Sequence, residues 1–459
     1  MVPRMLNESE VLSLEPFRVP PGGAKGAPLR SRLRRHGLWL TNQIAGRRWP
    51  IGCVSLEVTQ RCNLDCTLCY LSEHSEAVRD LPLSEILRRI DLIHAHYGPG
   101  TDIQISGGEP TLRKRSDLVE IVRTIRRRGM RSSLFTNGIR ATRELLQTLA
   151  AAGLTDVAFH VDTTQQRKGY ATEIELNALR ETYIERARGL DLPVFFNTTI
   201  HDANLHEVAD LAAFFAARSD VVRLASFQLQ AQTGRGAWGA RGEIVSTDTV
   251  IDGVRRGLRA PLCFDRFVVG HPRCNRYATA ILIGDRAHDA FSDGAFAVDF
   301  MRRTARRPIE RRTPVAATWS IVRAALSSMH LALASGAWLA RFVWRTRWDL
   351  WRARGRVRKL SFVIHNFMDA RALEAERLES CVFMAITQDG PMSMCAYNAR
   401  RDAFLLRPLA TAYGVWDPLG PRRSSSNADP VVAYPIRWLK GRSRAEASRR
   451  RDQDRSASP

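Results

Sequence analysis

Between residues 51 and 232, short apolar runs alternate with stretches whose apolar positions recur at intervals of three and four, the signature of repeated βα units. The runs predict strands at Cys53–Thr59, Asp102–Ser106, Ser132–Thr136, Asp156–Asp162, Pro193–Ile200 and Leu224–Gln230. The stretches between them predict helices. Ser84–His96 sets Ile86, Leu87, Ile90 and Ile93 on one face, and Ser116–Arg128 follows. Arg143–Ala152 closes at Gly153, a helix stop, and Glu173–Arg188 and Leu205–Arg218 complete the set. Six βα units are too few for a closed eight-stranded barrel, so an open, curved, mostly parallel sheet is expected. Such sheets bind ligands at the carboxyl ends of their strands. The loops after the first and second strands reach that edge together.

The flanks read differently. Residues 1–50 are polar and proline-marked, an extension with arginines at 30, 32, 34 and 35. A C-terminal region over 233–417 has a looser pattern: clustered glycines from Gly234 to Gly242, a helix-like stretch over 314–352, then a mixed segment over 360–410. The 418–459 tail is basic and rich in Ser, Arg and Pro, the composition of a disordered segment. Trp319, Trp338, Trp344, Trp348 and Trp351 fall in the helix-like stretch, where Ser327, Ser328, His330, Ser335 and Gly336 interrupt the uncharged span. Spanning a membrane needs about 20 predominantly apolar residues, so an interfacial helix is the better fit, with Arg341, Arg345, Arg347, Arg352 and Arg354 available to lipid phosphates. The alternative is a core helix with a basic outer face.

Composition narrows the class. With 44% hydrophobic and 25% charged residues the chain reads as globular and soluble, neither disordered nor polytopic. A formal net charge of +22 favours anionic partners, unless it is only a solvated Arg-rich surface. Nucleic acid is not expected, because no binding motif accompanies the charge. Eight cysteines in 459 residues do not form a disulfide scaffold, and no apolar run follows the first basic residue near the N-terminus. A reducing cytoplasm is expected, where clustered cysteines bind metal.

Cys62-Asn63-Leu64-Asp65-Cys66-Thr67-Leu68-Cys69 is a C-x3-C-x2-C run directly after the first strand. Three thiolates on one loop can wrap a face of an Fe–S cube and leave one iron open. Zinc prefers four closed ligands or a bound water. After the second strand comes Ile105-Ser106-Gly107-Gly108-Glu109-Pro110. Together these motifs resemble the radical S-adenosylmethionine (SAM) superfamily, an α/β fold built on a partial (βα)6 barrel. The resemblance implies a [4Fe–4S] cluster on Cys62, Cys66 and Cys69, with the open iron taking the amino and carboxylate groups of SAM. Gly107, Gly108, Glu109 and Pro110 would seat the methionine end, the Glu109 carboxylate pairing with the ammonium. Leu68 would reach adenine through its backbone, and Asn137, Asp162 and Asn197 are strand-end candidates for the cofactor, or simple caps. Gln228 and Gln230 are comparable.

Leu68 stands where many members carry an aromatic, with Tyr70 after the run. This is similar to a smaller group containing archaeal tetraether lipid synthase and a dihydropterin methyltransferase. Ser226 to Gln230, Thr233-Gly234-Arg235, His271-Pro272-Arg273-Cys274, His365 to Asp369 and Cys395 to Asn398 look like later motifs of that group. The resemblance implies SAM cleavage to a 5′-deoxyadenosyl radical, with C–C bond formation or methylation of a lipid-like substrate. It also implies a reductant such as ferredoxin or flavodoxin and a cytoplasmic protein in peripheral contact with an anionic membrane at its inner face. The rival readings are a peptide- or RNA-modifying enzyme of the same superfamily, and a non-enzymatic Fe–S or zinc scaffold. No catalytic side chain is assigned. Cys263, Cys274, Cys381 and Cys395 are the complement for a second Fe–S cluster or a tetrahedral metal site, or else small buried hydrophobes. Cys53 lies inside a strand and reads as core.

Overall fold

The computed structural model describes residues 3–18, 27–238, 242–307, 309–310, 313–411 and 414–420, so most of the 418–459 tail lies outside the described residues. Six parallel strands follow the expected pattern within two residues at each end: β1 Cys53–Thr59, β2 Asp102–Gly107, β3 Arg131–Thr136, β4 Asp156–His160, β5 Val194–Ile200 and β6 Val222–Leu229. The sheet does not end there. The C-terminal region adds β7 Asn275–Ile283, β8 Arg286–Asp289, β9 Val357–His365, β10 Phe383–Ile386 and β11 Pro391–Ser393. The order is β11-β10-β1-β2-β3-β4-β5-β6-β9-β7-β8. β10 pairs parallel to β1, and β9 parallel to β6, so eight consecutive strands run the same way. The partial barrel of six therefore gains a strand at each side, both from sequence beyond residue 232.

Helices cover the outside. Short α1 Glu8–Leu12 and α2 Ala27–Arg35 precede the sheet. Then come α3 Leu83–Tyr97, α4 Arg115–Arg127, α5 Arg143–Ala152, α6 Asn177–Ala187, α7 Val208–Ala217 and α8 Thr247–Leu258. The insertion between β8 and β9 holds α9 Gly294–Arg303, α10 Pro314–Ala325 and α11 Met329–Arg352, and the last segment holds α12 Ala375–Glu379, α13 Met394–Ala399 and α14 Arg401–Leu405. Alternation along β1 divides its side chains. Val54, Leu56 and Val58 pack into the core with Ile86, Ile90 and Ile93 of α3, while Ser55 and Glu57 face the concave side, where Ser55 meets Ser106 of β2. Cys53 is buried, as expected for a strand residue.

The helix expected to begin at Glu173 begins instead at Asn177, and Glu173 has another task. Its carboxylate is fully buried against the Arg180 guanidinium. It also accepts from the Thr163 N–H at 2.9 Å and from Asn204 Nδ2 at 2.9 Å, joining the loops after β4 and β5. Arg180 donates onward to the carbonyl of Val161 at 2.8 Å. Removing one partner of such a pair strands a charge away from water. Arg180→Met is expected to lower the unfolding free energy by ~3–5 kcal/mol, read as a lower urea midpoint. Arg115→Met, which breaks an exposed pair with Glu144, should leave the midpoint unchanged.

Candidate active site

Cys62, Cys66 and Cys69 lie on the irregular loop that leaves β1, all partly exposed and none in a disulfide. Burial pushes the Cys62 thiol up, while backbone N–H groups of Leu64 and Asn63 pull the other way by favouring its thiolate. Burial also pushes Cys66 up, and the charges of Cys69, Asp162 and Cys62 add to it. The three sulfurs thus sit within electrostatic reach of one another. The guanidinium of Arg235 donates to Cys69 Sγ at 3.3 Å. Thiols pushed up by burial, as Cys62 and Cys66 are, release their protons on binding a metal.

The loop is held by backbone rather than by side chains alone. Gly108 N–H donates to the Thr59 carbonyl at 2.9 Å and Glu109 N–H to the Arg61 carbonyl at 2.8 Å. A Cβ on Gly108 would stand 2.2 Å from the Arg61 oxygen, and one on Gly107, at φ +122°, 2.1 Å from the Thr59 oxygen. Only glycine allows that approach. On the other flank Gly236 N–H reaches the Cys69 carbonyl at 2.9 Å, and a Cβ there would press on the Leu68 backbone at 3.0 Å. Tyr70 Oη donates to the Gly107 carbonyl at 2.6 Å, Asn137 Nδ2 donates to Asn63 Oδ1 at 2.7 Å, and Thr67 N–H donates to the Thr164 carbonyl at 2.9 Å. Four neighbouring loops therefore touch the cysteine loop.

Two expected cofactor residues are turned inward instead. Glu109 is 0% exposed. Its Oε1 accepts from Thr111 N–H, Thr111 Oγ1 and Thr136 Oγ1, and its Oε2 from Asn137 N–H at 2.7 Å. A carboxylate so placed ties β2 to β3. Asp162 is likewise sealed, accepting from Thr164 N–H at 3.1 Å, Thr199 N–H at 2.8 Å and His160 Nε2 at 2.7 Å. Burial opposes its charge, but the His160 ring and these donors hold the acid well below the usual carboxylate range.

The concave side is polar. Asn197 Oδ1 accepts from Ser226 Oγ at 2.8 Å, and Asn197 Nδ2 lies 3.0 Å from His160 Nδ1. Burial disfavours a charged His160 ring, and the Asp162 carboxylate outweighs it, leaving the pKa raised. His160 was not singled out from the sequence. Its signal was present: it sits two residues before Asp162 on a strand, hence on the same face. At the far edge His365 lies 2.8 Å from Asn275 Oδ1 and packs on Phe383, and burial pushes its pKa down to about 4, so it is neutral near pH 7.

A second trio of thiols forms. Cys274, Cys381 and Cys395 feel one another's charge, burial pushing Cys274 up to about 11 and Cys395 higher still. Arg377 Nε donates to Cys274 Sγ at 3.2 Å and the Met368 N–H to Cys395 Sγ at 3.4 Å. Cys263 does not join them. Its N–H donates to Asp289, the residue paired with Ala280, and the carbonyl of the next residue, Phe264, accepts from the Tyr277 N–H at 3.4 Å. The loop carrying Cys263 packs beside the middle of β7, whereas Cys274 directly precedes that strand.

Among the described residues no three His, Cys, Asp or Glu side chains converge as the shell of a single ion requires. An Fe–S cube spreads its ligating sulfurs more widely than one ion does. Three thiols on one loop, with backbone N–H and guanidinium donors directed at sulfur, fit such a cube. Residues 56–215 match the model of the Radical SAM superfamily. The chain carries a radical SAM domain over these residues. A 7,8-dihydro-6-hydroxymethylpterin dimethyltransferase of Methanocaldococcus jannaschii is 32% identical over 188 residues, 39% of this chain and 37% of that protein. A PqqA peptide cyclase of Methylobacterium nodulans is 30% identical over 234 residues, 48% of this chain and 58% of the other. The chain thus spans 37% and 58% of the length of these relatives. The solved FeFe-hydrogenase maturase HydG from Carboxydothermus hydrogenoformans aligns with a TM-score of 0.36 at 17% identity, covering 50% of this chain and 54% of that one. The superfamily uses a [4Fe–4S] cluster with SAM.

In this radical SAM domain Gly108→Ala forces the loop after β2 away from the Arg61 carbonyl. Iron bound per chain after anaerobic reconstitution should fall several-fold, while the circular dichroism of the sheet and helices stays unchanged.

Proposed function

We propose that the chain binds SAM against a [4Fe–4S] cluster on Cys62, Cys66 and Cys69 and uses it to modify a lipid-like substrate by C–C bond formation or methylation. The observation behind this is the backbone stitching of the cysteine loop to Gly107-Gly108, which fixes the thiols beside the Gly-Gly-Glu-Pro loop. When bound, cluster and SAM supply one-electron cleavage of a SAM carbon–sulfur bond, giving methionine and a 5′-deoxyadenosyl radical that takes a hydrogen atom from an unactivated carbon.

The protein's own groups hold and aim. The three thiolates would carry the irons, and Arg235 offsets their negative charge at Cys69. Gly107 to Pro110 and the Leu68 backbone would seat SAM. Glu109 and Asp162 act through the loops they tie, and Asn137 through Asn63. The polar concave wall, with His160, Asn197 and Ser226, suits a substrate that presents hydrogen-bonding groups there, such as the head of an amphiphile. Cys274, Cys381 and Cys395 would hold an auxiliary cluster, with Arg377 in the role of Arg235. An external one-electron donor such as ferredoxin or flavodoxin, a cytoplasmic setting and contact with the inner face of the membrane complete the reading. A peptide substrate is the second reading, favoured by the similarity to a PqqA peptide cyclase.

Anaerobically reconstituted protein given SAM and a strong reductant should form 5′-deoxyadenosine, and Cys62→Ala should form none. Product from Cys62→Ala, or none from an iron-loaded parent supplied with amphiphile and peptide extracts, would sink the proposal. Cys274→Ser combined with Cys395→Ser should lose part of the iron and keep the part that Cys62→Ala loses. Equal iron in that double variant and the parent would refute the auxiliary site.

A further inference from the structure

Helix α11 wears three of its four tryptophans outward. Leu331, Phe342, Thr346 and Asp349 recur at helical spacing and are buried, and Trp338 stacks between Phe296 and Phe342 at 5.6 and 5.4 Å. The opposite stripe carries Leu333, Trp344, Trp348 and Trp351, 67%, 69%, 62% and 75% exposed. Helix α10 adds exposed Val315 and Trp319, and Leu326 directly after it is exposed as well. A core helix with a basic outer face would show the reverse pattern.

The charge carried by the hairpin itself is almost all of one sign, with Arg341 paired to Asp293 from outside it. Arg341, Arg345, Arg347, Arg352 and Arg354 are all exposed, and Arg347 lies over the Trp344 ring at 4.4 Å. From Thr313 to Arg356 the one acidic residue is Asp349, buried and held by Arg286 and His288. A tryptophan ring with apolar body and polar N–H, rimmed by arginine, matches the boundary between acyl chains and anionic headgroups. Among the described residues no helix is long and apolar enough to cross a membrane. Pairing two copies through this face would set arginine against arginine.

We propose that the α10–α11 hairpin is a docking surface for an anionic lipid bilayer, lying in the interface with Trp344, Trp348 and Trp351 at headgroup depth. Asp349 is fixed beside the β7–β8 turn, at the amino end of β9, and Arg341 beside Asp293 farther along. The helix therefore climbs toward its N-terminus in the direction in which β9 runs to the carboxyl edge. This deepens the lipid reading above by naming the surface on which such a substrate would be met, while the docking itself needs no turnover.

Full-length reconstituted protein is floated with phosphatidylcholine vesicles and with vesicles containing phosphatidylglycerol, at low and high salt. Flotation with the anionic vesicles, weakened by salt, is expected. Trp344→Ala/Trp348→Ala/Trp351→Ala should cut the partition coefficient about tenfold or more by withdrawing apolar area from the interface, with its melting temperature unchanged. Three results would overturn the proposal: unaltered binding by the triple variant, equal binding to neutral vesicles, or a parent dimer that the triple variant dissociates. 5′-Deoxyadenosine formation is assayed without vesicles, so a failure of docking and a failure of SAM cleavage are told apart.

Discussion

The Glu109 carboxylate takes four donors from two loops and has no contact with solvent, and the arrangement of the whole carboxyl edge follows from that choice. A buried carboxylate left unpaired would cost several kcal/mol, so the loops after β2 and β3 can come together only in the register that satisfies it. That register brings Gly108 onto the Arg61 carbonyl and Asn137 onto Asn63. The cysteine loop, which has no regular secondary structure of its own, inherits its shape from these neighbours.

The same logic recurs at sulfur. Thiolates gathered on one loop repel each other, and in both trios an arginine from another part of the chain donates to sulfur, Arg235 to Cys69 and Arg377 to Cys274. Beneath the first trio the buried Arg401 pairs with Glu57 at 2.6 Å and lies 4.8 Å from the Tyr70 ring. Tyr70 in turn holds the Gly107 carbonyl. The C-terminal segment thus braces the metal-facing loop from the concave side.

The strands β1 to β6 were legible because each buries one face under helices, which writes an apolar run into the sequence. β9 and β10 were not. β9 opens with exposed Val357 and Lys359 around a half-buried Arg358, β10 has four residues, and the partners of both lie far away in the chain. At the site, spacing announced the three thiols of the first loop, since local geometry suffices to bring them together. It could not tell which of four scattered cysteines meet, because that depends on where Cys263 and Cys274 fall along β7. Nor could it tell that Glu109 and Asp162 face inward, as residue type says nothing about where a carboxylate finds its donors.

The enclosure of the first loop has a consequence for synthesis. Cys62, Cys66 and Cys69 leave the ribosome well before Arg235 and Gly236, which contact their loop, and Arg401, which braces Tyr70 beneath it. At about 5–20 residues per second, the nascent chain carries three unshielded thiols for many seconds, open to oxidation. Assembly in an oxygen-bearing cell thus favours keeping the thiols reduced until the late-made segments arrive. The order in which the chain is written becomes a constraint on when its metal can be delivered.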